Sequence, residues 1–221
     1  MNDIIAEDAL KTLEERFRSR FVQHTVGEAA TGAKGIDASV FPQSVEEVES
    51  LTRLAARYSI PLVARGAGTA IYPGEQPRGL TVRFDAMRQM RIPTGEENRF
   101  EVEPGVTWWT LEDRLRERGM GPRVYPTSAP RSTVGGWLAE NGIGVGSYEY
   151  GWLLQNVLSV EAVVGGERSI IEGGEALRHF VGSRGSMGLI VRAWLTTRRA
   201  TGAGSGSLPR CGGSWEGRHG P

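Results

Sequence analysis

The sequence predicts an α+β fold, in which short strands and amphipathic helices alternate along most of the chain. Apolar residues recur at helical spacing in several segments, and short apolar or alternating runs between them are typical of strands. Glycine-rich turns separate these segments. At 221 residues the chain is long enough for one large domain or two small lobes. A body of this size buries roughly 70% of its unfolded surface, so a sizeable core is expected.

The first half of the chain predicts two helices followed by strands. Apolar residues at helical spacing over residues 5–21 predict one amphipathic helix. Ser44 with Glu47 forms a capping-box signature, which predicts a second helix that ends near Tyr58. Short strand patterns lie at 38–41, 61–64, 80–84 and 100–103.

The second half predicts helices and strands in a similar mixture. Residues 107–118 place Trp108 on the apolar face of a helix that stops at Gly119, and we expect Trp108 and Trp109 to be packing residues. The strand pattern 157–164 is followed by a Gly-Gly hairpin turn. Further patterns are short helices at 136–141 and 175–180 and strands at 168–171 and 189–196.

Composition narrows the class of protein. Lys plus Arg and Asp plus Glu both number 26, so the net charge is zero and nucleic acid is not an expected partner. No leader pattern and no apolar run of membrane-spanning length is present, so we expect a soluble, cytoplasmic protein without a membrane span. The single cysteine, Cys211, permits no internal disulfide and is interpreted as an incidental exposed thiol.

The end of the sequence is rich in glycine and serine and has no periodic apolar face. We expect residues 200–221 to be a disordered tail, either a flexible linker or an out-of-frame read-through, that adds nothing to the fold. Slow amide exchange throughout residues 203–221 would contradict this expectation.

A glycine turn directly after the strand pattern at 61–64 is the most informative segment. Gly66 and Gly68 carry no side chain and accept positive φ, so neighbouring backbone N–H groups can converge on a phosphate. Ile71 stands where a dinucleotide fingerprint needs its third glycine, and no Gly-Lys-Ser or Gly-Lys-Thr follows. A nicotinamide-type Rossmann turn and a Walker A loop are therefore not favoured. The alternative is an ordinary tight turn.

Residues 126–151 form a second glycine-rich region, which combines rigid prolines, hydroxyl donors and six glycines. Hydroxyl groups can donate hydrogen bonds, and glycines let the backbone approach a ligand closely. A long irregular surface loop is the alternative. Loops of this length are uncommon in compact domains unless they are functional, which favours a site for a large ligand.

Three segments together carry a resemblance to a known family. The Arg-Gly-Ala-Gly-Thr turn at 65–69, the 126–151 region with its Thr-Val-Gly-Gly and Tyr-Gly pairs, and Gly-Ser-Met-Gly-Leu-Ile at 185–190 occur in the family's order. They resemble the FAD-binding PCMH-type domain of D-lactate dehydrogenases, glycolate oxidase subunits and vanillyl-alcohol oxidase, over about residues 36–197. The resemblance implies two α/β lobes with FAD between them. It divides the chain into a helix (1–24), the domain (25–199, lobes about 25–91 and 92–199) and the tail (200–221).

The same resemblance implies which residues contact FAD. Thr69 stands where members that attach the flavin covalently have a histidine, so non-covalent FAD is expected. Trp137 and Arg184 depart from the family pattern, where a small or amide residue and an acid are common. The expected contacts are Gly66, Ala67, Gly68 and Thr69 at the pyrophosphate; Pro126, Thr127, Ser128, Thr133, Gly135 and Gly136 along the isoalloxazine and ribityl chain; Gly142, Gly146 and Ser147 completing the cradle; and Gly188 and Leu189 at the adenosine. Arg65 and Ala139 are also expected to contact the cofactor.

The resemblance implies a flavin-dependent dehydrogenase that acts on a 2-hydroxy acid such as lactate or glycolate. It implies that the substrate α-hydrogen passes to the flavin and that the base lies outside this sequence, in a substrate domain or a partner subunit. None of His24, His179 and His219 belongs to a recognisable motif, and hydrolase and metal-site motifs are absent from the sequence. The alternatives are a catalytically silent or truncated FAD-binding module and a nucleotide-binding module for another ligand.

Overall fold

The computed structural model describes residues 7–23, 36–70, 79–93 and 98–200. The predicted tail beyond Ala200, with Cys211 and His219, lies outside the described residues, as do His24 and Ile71. The helices are α1 (Glu7–Phe17), α2 (Val45–Arg57), α3 (Trp108–Arg116), α4 (Val134–Glu140), α5 (Ser147–Tyr150) and α6 (Gly174–Phe180). The strands are β1 (Phe21–Gln23), β2 (Ile36–Val40), β3 (Leu62–Arg65), β4 (Gly79–Arg83), β5 (Met90–Arg91), β6 (Arg99–Val102), β7 (Met120–Pro122), β8 (Val157–Val164), β9 (Glu167–Glu172) and β10 (Leu189–Arg199).

The α+β class predicted from the sequence is confirmed, and the strands form two sheets. The first sheet has the order β1-β2-β4-β3, in which β4 pairs in parallel with both β2 and β3. The second sheet is antiparallel and has the order β5-β6-β10-β8-β9, and β7 pairs with the end of β10. The long strand β10 is central because β6, β7 and β8 all pair with it.

The N-terminal helix is shorter than predicted. Instead of continuing to residue 21, α1 ends at Phe17, a 3-10 turn covers Arg18–Arg20, and Phe21 begins β1. Phe21 pairs with Val40 in the first sheet, so a tertiary contact overrides the helical spacing. The periodicity alone does not show this change, because Phe21 is apolar and buried in either structure.

The second helix follows its sequence signals closely. Ser44 is the N-cap of α2, and its hydroxyl accepts a hydrogen bond from the Glu47 N–H at 3.3 Å. Such a cap stabilises a helix by about 1 kcal/mol. The Glu47 carboxylate accepts from the Gln43 N–H at 2.8 Å and from Arg20, which differs from the reciprocal bond of a full capping box.

Two apolar clusters form the core, one for each sheet. The first contains the buried faces of α1, α2, β2 and β4, and it also includes Val163, Leu189 and Val191 from the second sheet. The second contains α3 and α4 packed on β6, β8 and β10, including Trp108 and Trp137. Because strands of the second sheet contribute to the first cluster, the two sheets are packed against each other. The division into 1–24, 25–199 and 200–221, with lobes about 25–91 and 92–199, stays a prediction.

Candidate functional site

The first glycine turn follows β3 directly, as the sequence predicts. Gly68 has φ +69°, a left-handed conformation that glycine adopts without strain. Ala67 and Gly68 are exposed. In the part of the chain that the structure describes, the N–H groups of Ala67, Gly68 and Thr69 donate to no carbonyl or side chain. Three neighbouring donors in an exposed turn are therefore available to an anion.

The second glycine segment touches this turn. A Cβ added to Gly66 would lie 2.7 Å from Thr133 Oγ1 and 3.1 Å from Gly136 Cα. These distances are shorter than ordinary van der Waals contacts, so only glycine permits the approach. Thr133 is the N-cap of α4, where its hydroxyl oxygen accepts from the Gly136 N–H at 3.3 Å. The turn after β3 and the start of α4 thus form one continuous surface.

The position of α4 is set by backbone bonds from another part of the chain. Val134 donates to the Val106 carbonyl at 2.8 Å, and Gly135 donates to the Pro104 carbonyl at 3.0 Å. A Cβ on Gly135 would lie 2.5 Å from Pro104 Cβ, so this glycine serves close packing rather than an open surface. The indole of Trp137 packs edge-on against Trp108 with ring centroids 4.9 Å apart. Both rings are buried, which confirms the packing role predicted for Trp108.

The remainder of the second segment returns beside its own start. Tyr125 and Val145 exchange backbone hydrogen bonds of 2.9 and 2.8 Å. The Ser147 hydroxyl accepts from the Gly144 N–H at 3.0 Å, and Gly146 has φ +90°. Pro126 is buried, whereas Thr127 and Ser128 are exposed. Residues 125–128 and 144–147 are therefore held side by side.

The third segment lies against the first two. Arg184 donates its backbone N–H to the Ala139 carbonyl at 2.9 Å, and Gly182 donates to the Leu138 carbonyl at the same distance. A Cβ on Gly185 would lie 3.2 Å from Ala64 Cβ on β3. Gly188 and Leu189 come shortly after Gly185 in the chain, and Leu189 is buried at the start of β10. The structure thus brings all three predicted segments to one region.

Charge and hydrogen bonding near the second segment involve two tyrosines. Burial, followed by a hydrogen bond to Glu112, raises the pKa of Tyr125 well above its ordinary value. A hydrogen bond to Glu149 is the main cause that raises the pKa of Tyr150. Both phenols therefore stay protonated at neutral pH.

Several contributors to the site carry no sequence signal. Pro104 and Ala64 form contacts for Gly135 and Gly185, but neither is marked by a motif. Arg184, a departure from the family pattern, forms an ion pair with Glu140 at 3.4 Å.

Among residues that the structure describes, no group of three or more His, Cys, Asp or Glu could hold a metal ion. His179 is exposed on α6.

The fold and the site define a nucleotide-cofactor domain, and comparison with known proteins identifies its family. The chain belongs to the family described as FAD binding domain, which matches residues 36–171. This confirms the resemblance inferred from the three segments, and FAD is the cofactor of the domain.

Relatives by sequence include dehydrogenases and an oxidase subunit. The chain is 29% identical over 187 residues to "Probable D-lactate dehydrogenase, mitochondrial" of Danio rerio, covering 78% of this chain and 37% of that protein. It is 32% identical over 166 residues to "D-lactate dehydrogenase" of Archaeoglobus fulgidus, covering 70% and 37%. It is 30% identical over 169 residues to "Glycolate oxidase subunit GlcD" of Bacillus subtilis, covering 71% and 36%. The chain therefore spans little more than a third of these curated relatives.

The solved structure of an alkyldihydroxyacetonephosphate synthase shares the fold. Its TM-score is 0.75 at 21% identity, and the match covers 90% of this chain and 42% of that chain. Within the described ranges, none of the helices combines the length and hydrophobicity that crossing a bilayer requires.

The geometry of the first turn fits the cofactor's diphosphate. A side chain at Gly66 would fill the contact with α4, and the N–H groups of Ala67, Gly68 and Thr69 have no acceptor among the described residues. A diphosphate supplies the acceptors that such a turn lacks. The residues present are therefore compatible with FAD.

Proposed function

We propose that this chain is the FAD-binding part of a dehydrogenase that oxidises a 2-hydroxy acid such as lactate or glycolate. The proposal rests on two close approaches between distant segments. Gly66 packs against Thr133 and Gly136, and Gly185 packs against Ala64. Segments that lie far apart in sequence form one surface at which a large cofactor can lie. The substrate class comes from the names of the curated relatives.

In this proposal, each segment holds a different part of the cofactor. The N–H groups of residues 67–69 bind the diphosphate, and Arg65 adds positive charge beside the turn. Residues 126–128 and 142–147 flank the isoalloxazine and ribityl chain, together with the start of α4. Gly188 and Leu189 cover the adenosine. The binding is non-covalent in this proposal, because Thr69 stands where family members that attach the flavin covalently have a histidine.

Bound FAD would supply the acceptor for the hydrogen and electrons removed from the substrate. The chain's own residues bind the cofactor, orient it and exclude water from one side of it. Within the described residues, no histidine lies at the three segments, so we propose that a substrate domain or a partner subunit supplies the base that takes the hydroxyl proton.

A cytoplasmic location is part of the same proposal and is supported by the single cysteine.

Purification with and without added FAD tests cofactor binding. We expect a yellow protein with close to one flavin per chain. A ligand at 100 times its Kd stabilises the folded state by about 2.7 kcal/mol. For a domain of this size that stabilisation raises Tm by roughly 5–11 °C. Unchanged Tm in excess FAD would reject the FAD-binding assignment and favour another nucleotide ligand.

Dye-coupled oxidation of lactate and glycolate tests the activity. We expect the isolated chain to be inactive and its complex with a substrate domain or partner to be active. Activity of the isolated chain would contradict the need for a partner. Inactivity of every completed complex, with FAD still bound, would instead favour the catalytically silent FAD-binding module.

A further inference from the structure

A cavity of about 300 Å³ lies beside the second glycine segment, at the ends of β7 and β10. Three arginines, Arg123, Arg198 and Arg199, are among the residues that line it, together with Glu112 and Glu149. Its volume is at the small end of ligand pockets, so it suits a small molecule and is too small for a dinucleotide.

The backbone orients two of the arginines. Arg123 donates its Nε–H to the Thr197 carbonyl at 3.1 Å, and Arg198 donates its Nε–H to the Pro122 carbonyl at 3.2 Å. The Arg123 guanidinium also lies over the Tyr150 ring, 5.5 Å from its centroid. These contacts fix the orientation of the two planar guanidinium groups through their Nε–H, and the two terminal NH₂ groups of each take no part in these bonds. That pair matches the two oxygens of a carboxylate.

One of the two carboxylates at the cavity already has a cationic partner, because Arg116 binds Glu112 at 2.5 Å. The three arginines that line the cavity outnumber its two acids. In the described part of the chain, Arg123, Arg198 and Arg199 have no carboxylate within 4.0 Å. The cavity therefore has an excess of positive charge that its own acids do not neutralise.

We propose that this cavity binds the carboxylate of a small organic acid, with Arg123 and Arg198 as its paired donors and Arg199 as an additional positive charge. The cavity shares a wall with the proposed flavin site, because Tyr125, Val145 and Gly146 line it and precede Pro126 and Ser147 in the chain. The choice of a 2-hydroxy acid as the ligand rests on the proposed function. The choice of a small anion rests on the cavity itself.

Isothermal titration of the purified full chain with D-lactate tests the proposal. Propane-1,2-diol serves as the matched ligand, because it has the same carbon skeleton with an alcohol in place of the carboxylate. We expect saturable binding of lactate and none of the diol. Equal binding of the diol, or absence of saturable lactate binding, would overturn the proposal. Inorganic phosphate that binds as tightly as lactate would overturn the carboxylate assignment.

Substitutions locate the binding. The double variant Arg123→Gln/Arg198→Gln removes both guanidinium groups that are proposed to pair with the carboxylate. We expect the affinity for lactate to fall about tenfold or more. Arg178→Gln is the matched control, since Arg178 is exposed on α6 and lies outside this cavity. Unchanged affinity in the double variant would overturn the proposal. Should the double variant not fold, Arg199→Gln, with an exposed side chain, provides the test, and there too unchanged affinity counts against the site.

FAD titration of the same preparations separates the two proposals. Lactate binding that persists in protein unable to bind FAD would refute the proposed function and support this site. FAD binding without lactate binding would refute this site and leave the proposed function standing.

Discussion

Gly68→Val gives the sharpest test of the diphosphate turn, because the chain contains a matched control. Gly68 has φ +69° and Gly119 has φ +67°, so valine meets the same backbone strain at both positions. Gly119 ends the turn after α3, and a Cβ there would meet nothing within 4 Å. A Cβ on Gly68 would meet Arg65 Nη2 at 3.3 Å, which is the movable end of a flexible side chain.

The two substitutions should therefore cost similar stability. The left-handed conformation costs an L-residue about 1–2 kcal/mol, and a β-branched residue pays at least this much. For a domain of this size the loss lowers Tm by roughly 2–8 °C. Only Gly68→Val places methyl groups beside the N–H groups of Ala67 and Thr69, where the diphosphate is proposed to bind. We therefore expect it to abolish FAD retention, and Gly119→Val to retain FAD.

Flavin absorbance per chain and a thermal scan of both variants check this prediction. The reasoning is refuted by normal flavin content in Gly68→Val. It is refuted equally by parallel loss of flavin in both variants at matched Tm, since that result would assign the effect to stability rather than to the turn.

Other predictions concern packing and pH. Gly66→Ala forces a Cβ to 2.7 Å from Thr133 Oγ1, so we expect urea denaturation to show a loss of about 1–3 kcal/mol; wild-type stability would contradict the close contact. Trp137→Ala removes a buried indole and should cost about 3–5 kcal/mol by the same measurement, and a loss under about 1 kcal/mol would contradict its core role. The hydrogen bond from Arg20 lowers the pKa of Glu47, so their pairing stabilises the fold above the unfolded pKa of about 4.3, and this contribution is lost as pH falls through the lower folded value. Solvent screening limits it to about 1 kcal/mol or less, and Glu47→Gln should flatten the acid limb of a Tm-against-pH profile; an unchanged limb would contradict the assignment.

Local sequence signals predicted many element boundaries closely. Ser44 is the cap of α2, Gly119 follows α3 with positive φ, and the Gly165-Gly166 pair forms the β8–β9 turn. Such signals act within a few residues, through a hydrogen bond or an allowed φ. The strands β5 and β7 were not predicted, because two- and three-residue strands have too few positions to show a period of two.

The family and the cofactor also followed from the sequence, since each glycine segment is continuous along the chain. What each residue contacts did not. Gly135 packs on Pro104, and Phe21 leaves the predicted helix to pair with Val40, and both contacts depend on partners many residues away. The FAD contacts of individual residues stay predictions.

Neighbouring residues are enough to predict the α+β class, the capped helices and the three glycine segments, because turn and cap chemistry acts over a few positions. The central place of β10, the contact of Gly66 with Thr133, and the shared cavity of Arg123 and Arg198 emerge only in the folded chain. These contacts arise from strand pairing and packing between distant segments. Backbone bonds between β7 and β10 bring the two arginines together, and no local pattern records that pairing.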